Sequence, residues 1–84
     1  MFYVEDDLHA QIMEKFLSKE KAIEYLRLLK DIPWGVEPNV SMCINPDCER
    51  WYWLIEQDDK HNEISREEAL LINSEKCQWL LDEQ

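Results

Sequence analysis

Four side chains in this sequence could together hold a metal ion. Four residues separate Cys43 from Cys48, twelve separate Cys48 from His61, and Cys77 lies near the end of the chain. Three thiolates and one imidazole would suit a tetrahedral zinc site, although paired zinc modules usually show a second close ligand pair. Cys43 and Cys48 could instead form a reversible disulfide. A zinc- or redox-responsive cysteine module built on these four residues is therefore the alternative to a main prediction that assigns no metal and no cofactor.

Nucleophilic catalysis has little support in the sequence. Asp47 and Glu49 flank Cys48, and their negative charge disfavours the thiolate that a catalytic cysteine needs. The chain has one glycine, which excludes a glycine-rich loop that cradles phosphate. We therefore predict no catalytic residues and no enzymatic activity.

The aromatic run Trp51-Tyr52-Trp53 could stack nucleic-acid bases. Such a platform needs a basic groove beside it, and only Arg50 is near in the sequence. We predict instead that these rings pack the core and that the protein does not bind nucleic acid directly.

Charge is the strongest global signal. The 84 residues carry a net charge of −10 and fit one domain, residues 1–84. Residues 1–30 hold six acids and five bases, whereas residues 31–84 hold thirteen acids and four bases. A carboxylate-rich surface repels nucleic acid and anionic membranes and attracts basic proteins. The predicted partner-binding residues are Asp47, Glu49, Glu56, Asp58, Asp59, Glu63 and Trp34.

These features predict a small acidic, non-enzymatic protein-binding module. Its type would be an inhibitor, immunity or anti-defence protein, which docks a basic partner surface that could itself bind nucleic acid. Residues 1–7, MFYVEDD, lack a basic region and a long apolar run, and the cysteines are odd in number. We therefore expect a cytoplasmic protein that does not bind membranes, and the oligomeric state stays open.

The first half of the chain predicts a hairpin followed by a helix. We expect a strand over residues 2–5 and a second that alternates over residues 10–16. Apolar residues recur at helical spacing over residues 19–31, with Ser18 as N-cap and Pro33 as terminator. Residues 33–49 contain all three prolines and the glycine, which predicts a long loop anchored by Trp34.

The second half predicts further strands. RWYWLIEQ, residues 50–57, is a central strand, and two short strands follow near residues 68–72 and 77–81. The capping-box pattern from Ser65 to Glu68 leaves a C-terminal helix as the alternative. The fold class is α+β: a small single domain with an N-terminal β-hairpin, one helix, and two or three antiparallel strands packed with the helix on one sheet face.

The order of short motifs resembles a family of small uncharacterised bacterial proteins. The motifs are YVED and LHA, IPW at the helix end, EPN, a cysteine-bearing loop, E-x-DD, EISR and a final K-x-x-W. Where the family loop has Cys-Pro-Cys and later Cys-Gly-Arg, this chain has Ser41-Met42-Cys43 and Cys48-Glu49-Arg50. The resemblance implies a hairpin, a helix and further strands, and it implies no function.

Overall fold

A computed structural model describes residues 1–6, 11–40 and 49–81, with the side chains of residues 11–13 excepted. Within these ranges the chain forms one helix and five strands, and the strands make one antiparallel sheet of order β2-β1-β3-β4-β5. The predicted α+β class is confirmed. The elements are β1 (Phe2–Asp6), β2 (Gln11–Phe16), α1 (Lys19–Asp31), β3 (Glu49–Gln57), β4 (Glu63–Asn73) and β5 (Cys77–Trp79).

Helix α1 has the predicted bounds and the predicted N-cap. The Ser18 hydroxyl accepts a hydrogen bond from the Lys21 amide at 3.2 Å, which satisfies a donor that the first helical turn leaves unpaired. Ala22, Leu26 and Leu29 recur on one face and are buried. No helix among the described residues combines the length and apolarity needed to cross a bilayer.

The helix covers one face of the sheet, and the main core lies between them. Tyr52 and Leu54 of β3 point to this face, as the alternation of strand side chains requires. Trp51, Trp53 and Ile55 point to the other face, where Ile55 is buried and the two indoles are half-buried. The buried residues of the main core are Val4, Ala22, Leu26, Leu29, Tyr52, Leu54, Ala69, Leu70 and Ile72.

A buried amide, Asn39, joins the helix, the following loop and the central strand. Its Nδ2 donates to the carbonyls of Leu29 and Ile32 at 2.7 and 2.8 Å, which closes the C-terminus of α1. Its Oδ1 accepts the Tyr52 hydroxyl at 2.6 Å. Burial is the main cause that raises the pKa of Tyr52, so this hydroxyl stays a donor.

The loop backbone is built around the same residue. The Asn39 amide donates to the Val36 carbonyl, and its carbonyl accepts from the Gly35 amide, both at 2.8 Å. Gly35 has a φ of 93°, a left-handed conformation that favours glycine. Every polar group of Asn39 is therefore engaged, which explains how a fully buried amide is tolerated.

A buried ion pair links β1 to β3. Arg50 Nη2 lies 2.6 Å from Asp6 Oδ2, and each of the two side chains is only 5% exposed. The Arg50 guanidinium also lies 5.8 Å from the centre of the Tyr52 ring. A buried pair of this kind positions two strands against each other, and loss of one partner would leave an uncompensated charge.

Strand β4 is longer than the sequence predicts. It begins at Glu63 rather than near residue 68, and β5 ends at Trp79 rather than near residue 81. The capping-box residues lie in β4, so the alternative of a helix is wrong over the described residues 63–81. The reason is tertiary: β3 pairs Leu54 with Glu67, Ile55 with Arg66 and Glu56 with Ser65, which overrides the local helical signal.

We predict that Asn39→Ala lowers the free energy of unfolding by about 3 kcal/mol, because the Leu29 and Ile32 carbonyls and the Tyr52 hydroxyl each lose a short hydrogen bond inside the core. Tyr52→Phe should cost less, about 1 kcal/mol, since it removes one donor. Urea denaturation followed by circular dichroism measures both. Gln78→Ala, at an exposed position, is the control and should stay within about 0.5 kcal/mol of the parent protein. An Asn39→Ala variant as stable as this control would contradict the assigned role.

Candidate functional site at the outer end of the β3–β4 hairpin

Four of the predicted partner-binding carboxylates lie together at the turn between β3 and β4. Glu56 is near the end of β3, Asp58 and Asp59 are in the turn, and Glu63 begins β4. Asp58, Asp59 and Glu63 are exposed, and Glu56 is partly exposed. The structure therefore gathers these four groups at one end of the molecule, which we call the outer end of the hairpin.

The other predicted residues do not join this group. Glu49 pairs with Asn73 at the opposite end of β3, roughly 23 Å from Glu56 at about 3.3 Å per strand residue. Its carboxylate accepts the Trp51 indole N–H at 3.1 Å. Trp34 is half-buried against the core, as the loop-anchor prediction requires. Asp47 lies outside the described residues.

Asp58 organises the turn. Its Oδ1 accepts the backbone amides of Lys60 and Asn62 at 2.8 and 2.9 Å, and its Oδ2 accepts the Asn62 side-chain amide at 3.4 Å. These hydrogen bonds, first the one from the Asn62 backbone, lower the pKa of Asp58. His61 occupies the left-handed region with a φ of 66° in the same turn. Asp58 thus has a structural role in the hairpin turn, and its part in partner binding stays a prediction.

Arg66 joins three strands on the sheet face opposite the helix. Its guanidinium lies 2.8 Å from Glu63 and 3.1 Å from Glu5 of β1, and 5.6 Å from the centre of the Trp53 ring. Hydrogen bonds to Glu63, and then to Glu5, raise the pKa of Arg66 above its usual value. Glu63 is therefore partly neutralised within the fold, and Arg66 is already engaged by two carboxylates.

Four carboxylates of the hairpin make no hydrogen bond or ion pair with any residue that the structure describes: Glu56, Asp59, Glu67 and Glu68. Glu67 and Glu68 were not among the predicted partner-binding residues, and the predicted strand began near residue 68. Both are exposed. Glu67 pairs with Leu54 and Glu68 with Trp53, so they point to opposite faces of the sheet. The mostly polar run Glu63–Glu68 is the sequence feature that could have indicated an exposed strand.

The four-ligand metal site fails on distance. His61 is at the outer end of the hairpin, whereas Cys77 pairs with Ile72 near its inner end. Nine strand steps from Glu63 to Ile72 separate the two ends by roughly 30 Å, so one ion cannot contact both. Cys43 and Cys48 lie outside the described residues. In the described part of the chain, no group of three or more potential ligands could hold a metal.

Cys77 occupies an ordinary structural position. It is free and exposed, and its thiol donates to the Lys30 carbonyl at 3.6 Å. Partial burial is the main cause that raises the pKa of Cys77, and this opposes formation of a reactive thiolate. The described surroundings of this thiol therefore do not activate it.

No protein-family model, curated protein or solved structure matches this chain significantly. The resemblance to small bacterial proteins consequently stays a prediction.

We predict that Asp58 titrates below its usual value of 3.8, because protonation removes charge from an acceptor of three hydrogen bonds. A lowered pKa in the folded state means that the stabilisation is complete above 3.8 and is lost as the pH falls through the folded-state pKa. Carbon-detected NMR titration of the Asp58 carboxyl measures this. The amides of Lys60 and Asn62 should shift with the same midpoint, and a midpoint at or above 3.8 would contradict the assignment.

Proposed function

We propose that this protein is a small acidic, non-enzymatic module that binds a basic protein surface through carboxylates of the β3–β4 hairpin. The observation that carries the proposal is the group formed by Glu56, Asp59, Glu67 and Glu68. These side chains project from one hairpin and have no cationic partner among the described residues. Burying or pairing them with a cationic surface would satisfy charges that the fold itself leaves unpaired.

The distribution of bases supports the same proposal. Residues 56–68 contain six acids and two bases, and one of those bases, Arg66, is held by Glu5 and Glu63. In contrast, residues 14–31, which cover the end of β2 and helix α1, contain five bases and four acids. Negative charge is therefore concentrated on the hairpin rather than spread evenly. A concentrated patch accelerates encounter with a cationic partner and sets its orientation.

The proposed partner is a basic protein, and nucleic-acid-binding proteins are one class that carries such surfaces. Carboxylates on a rigid strand could occupy the sites where that partner binds phosphate. An inhibitor, an immunity protein or an anti-defence protein would work in this way without a catalytic group. The acidic composition supports this proposal of an inhibitor, immunity or anti-defence protein. The odd number of cysteines supports a cytoplasmic location.

We expect Glu56→Lys combined with Asp59→Lys to abolish capture of the partner, because attraction becomes repulsion at the outer end of the hairpin. Tagged protein would be incubated with lysate at low salt, and captured proteins would be identified and then purified. Affinity of the purified partner should fall several-fold between low and physiological salt. Asp58 is left intact because it holds the turn together.

The matched control is Glu24→Lys combined with Asp31→Lys on helix α1, which changes the net charge equally and also replaces one glutamate and one aspartate. It should retain most of the affinity. Equal loss in both double variants would show that only net charge matters. Captured partners that are acidic, or binding unaffected by the hairpin variant, would refute the proposed function.

A further inference from the structure

We infer that the outer edge of β4, residues 63–68, receives an extended, lysine- or arginine-rich segment of the partner as an added β-strand. This inference rests on the proposed function and adds how the partner is held. In strand addition, main-chain hydrogen bonds supply affinity and alternate side chains supply specificity.

The pairing of β4 divides the strand into two halves. On the side away from β3, β5 pairs only with Leu70, Leu71 and Ile72. The Leu80 amide makes one more bond, to the Ala69 carbonyl at 2.9 Å. No strand in the described ranges lies beside residues 63–68, and all six of these residues are exposed. Half of their backbone donors and acceptors therefore face outward, which is the template that an added strand uses.

A groove runs beside this edge. It has a volume of about 510 Å³, which is sufficient for several side chains of an extended segment. Its lining combines the acidic residues Glu67 and Glu68 with the aromatic and apolar residues Trp53, Ile23, Leu80 and Leu81. The lining residues are Lys19, Ile23, Trp53, Arg66, Glu67, Glu68, Leu80 and Leu81. An incoming strand would thus find apolar surface on which the stems of long cationic side chains can pack.

The charges of the edge select the occupant. Glu67 and Glu68 project to opposite faces of the sheet, so an added strand meets a carboxylate on each face. Opposite charges directly across two strands stabilise the pair, and like charges destabilise it. Two cationic residues line the groove, Lys19 and Arg66. Arg66 is already paired with Glu5 and Glu63, so only Lys19 in this lining has no ion pair with a described residue. Adjacent cationic residues in the segment therefore fit best.

A second copy of this chain fits poorly. Two identical antiparallel strands related by a two-fold axis place one residue opposite its own symmetry mate. A register centred on Arg66, Glu67 or Glu68 therefore brings two like charges together across the strands, which is unfavourable. The edge is thus built against self-association and in favour of a cationic strand.

The test uses the full chain and a blocked peptide of about eight residues in which pairs of adjacent lysines alternate with pairs of valines, long enough to span the edge. Hydrogen exchange monitored by NMR should show slower exchange at alternate amides within residues 63–68 when the peptide binds. The same peptide N-methylated at every residue keeps its charges and lacks backbone donors, and it should give no protection. The same peptide with glutamate in place of every lysine should not bind.

Glu67→Lys combined with Glu68→Lys should weaken peptide binding about 10-fold, because two attractive cross-strand contacts become repulsive. Glu24→Lys combined with Glu75→Lys replaces two exposed glutamates away from the edge and is the matched control; it should keep binding within about twofold, since distant exposed charges are screened. Protection at the edge that disappears with N-methylation and with the edge variant supports the inference.

Other outcomes overturn it in distinguishable ways. If the N-methylated peptide binds as well as its parent, the peptide is held by charge alone and not as an added strand. The inference then fails, and the proposed function survives. Edge protection that increases with protein concentration alone would identify a second copy as the occupant. If neither basic peptide binds and the hairpin variant Glu56→Lys with Asp59→Lys also leaves partner capture unchanged, both proposals fail.

Discussion

The relative positions of helix α1, the loop after it and strand β3 depend on the hydrogen bonds of one buried side-chain amide, that of Asn39. Its side chain closes the C-terminus of α1 at Leu29 and Ile32 and receives the hydroxyl of Tyr52 from the central strand. A buried amide is costly unless all its groups are paired, so this arrangement admits one relative position of helix, loop and strand. The inner half of the β3–β4 hairpin is fixed in this way beneath the helix. In the outer half, β3 remains paired with β1, and residues 63–68 of β4 form the exposed side.

Two arginines pair with carboxylates inside the fold, and these pairs determine which acidic side chains are neutralised. Arg50 joins β3 to Asp6 of β1 in the core, and Arg66 joins β4 to Glu5 on the other sheet face. Both bases thereby act as connections between strands. Glu56, Asp59, Glu67 and Glu68 have no such partner among the residues that the structure describes. The same contacts that stiffen the sheet therefore create the charge distribution on which the proposed function depends.

Much of the fold could be predicted from local patterns. Helix α1 followed from apolar spacing, Ser18 and Pro33, and the strand character of residues 50–57 followed from their composition. The role of Asn39 could not be predicted, because its partners lie seven to thirteen residues away and depend on how the loop folds back. The length of β4 was missed for a similar reason: pairing with β3 overrides a capping-box signal between Ser65 and Glu68.

The sequence predicted the acidic character of the candidate site better than it predicted which residues lie together there. Sequence proximity grouped Glu49 with the acids after β3, whereas an extended strand places it at the far end. Asp58 has a structural role that a count of charges cannot reveal. Glu67 and Glu68 gain importance because β5 is too short to cover them, which is a property of the sheet and not of the local sequence.

Residue-resolved hydrogen exchange of the protein alone tests the central claim most directly, namely that β4 is secured in its inner half and open along its outer edge. We predict that consecutive amides over Leu70–Ile72 exchange slowly, since both neighbours of β4 are paired there. Over residues 65–68, where the register with β3 is regular, slow and fast amides should alternate, because among the described residues only the amides directed at β3 are bonded. Uniformly slow exchange along the whole of β4 would contradict the account.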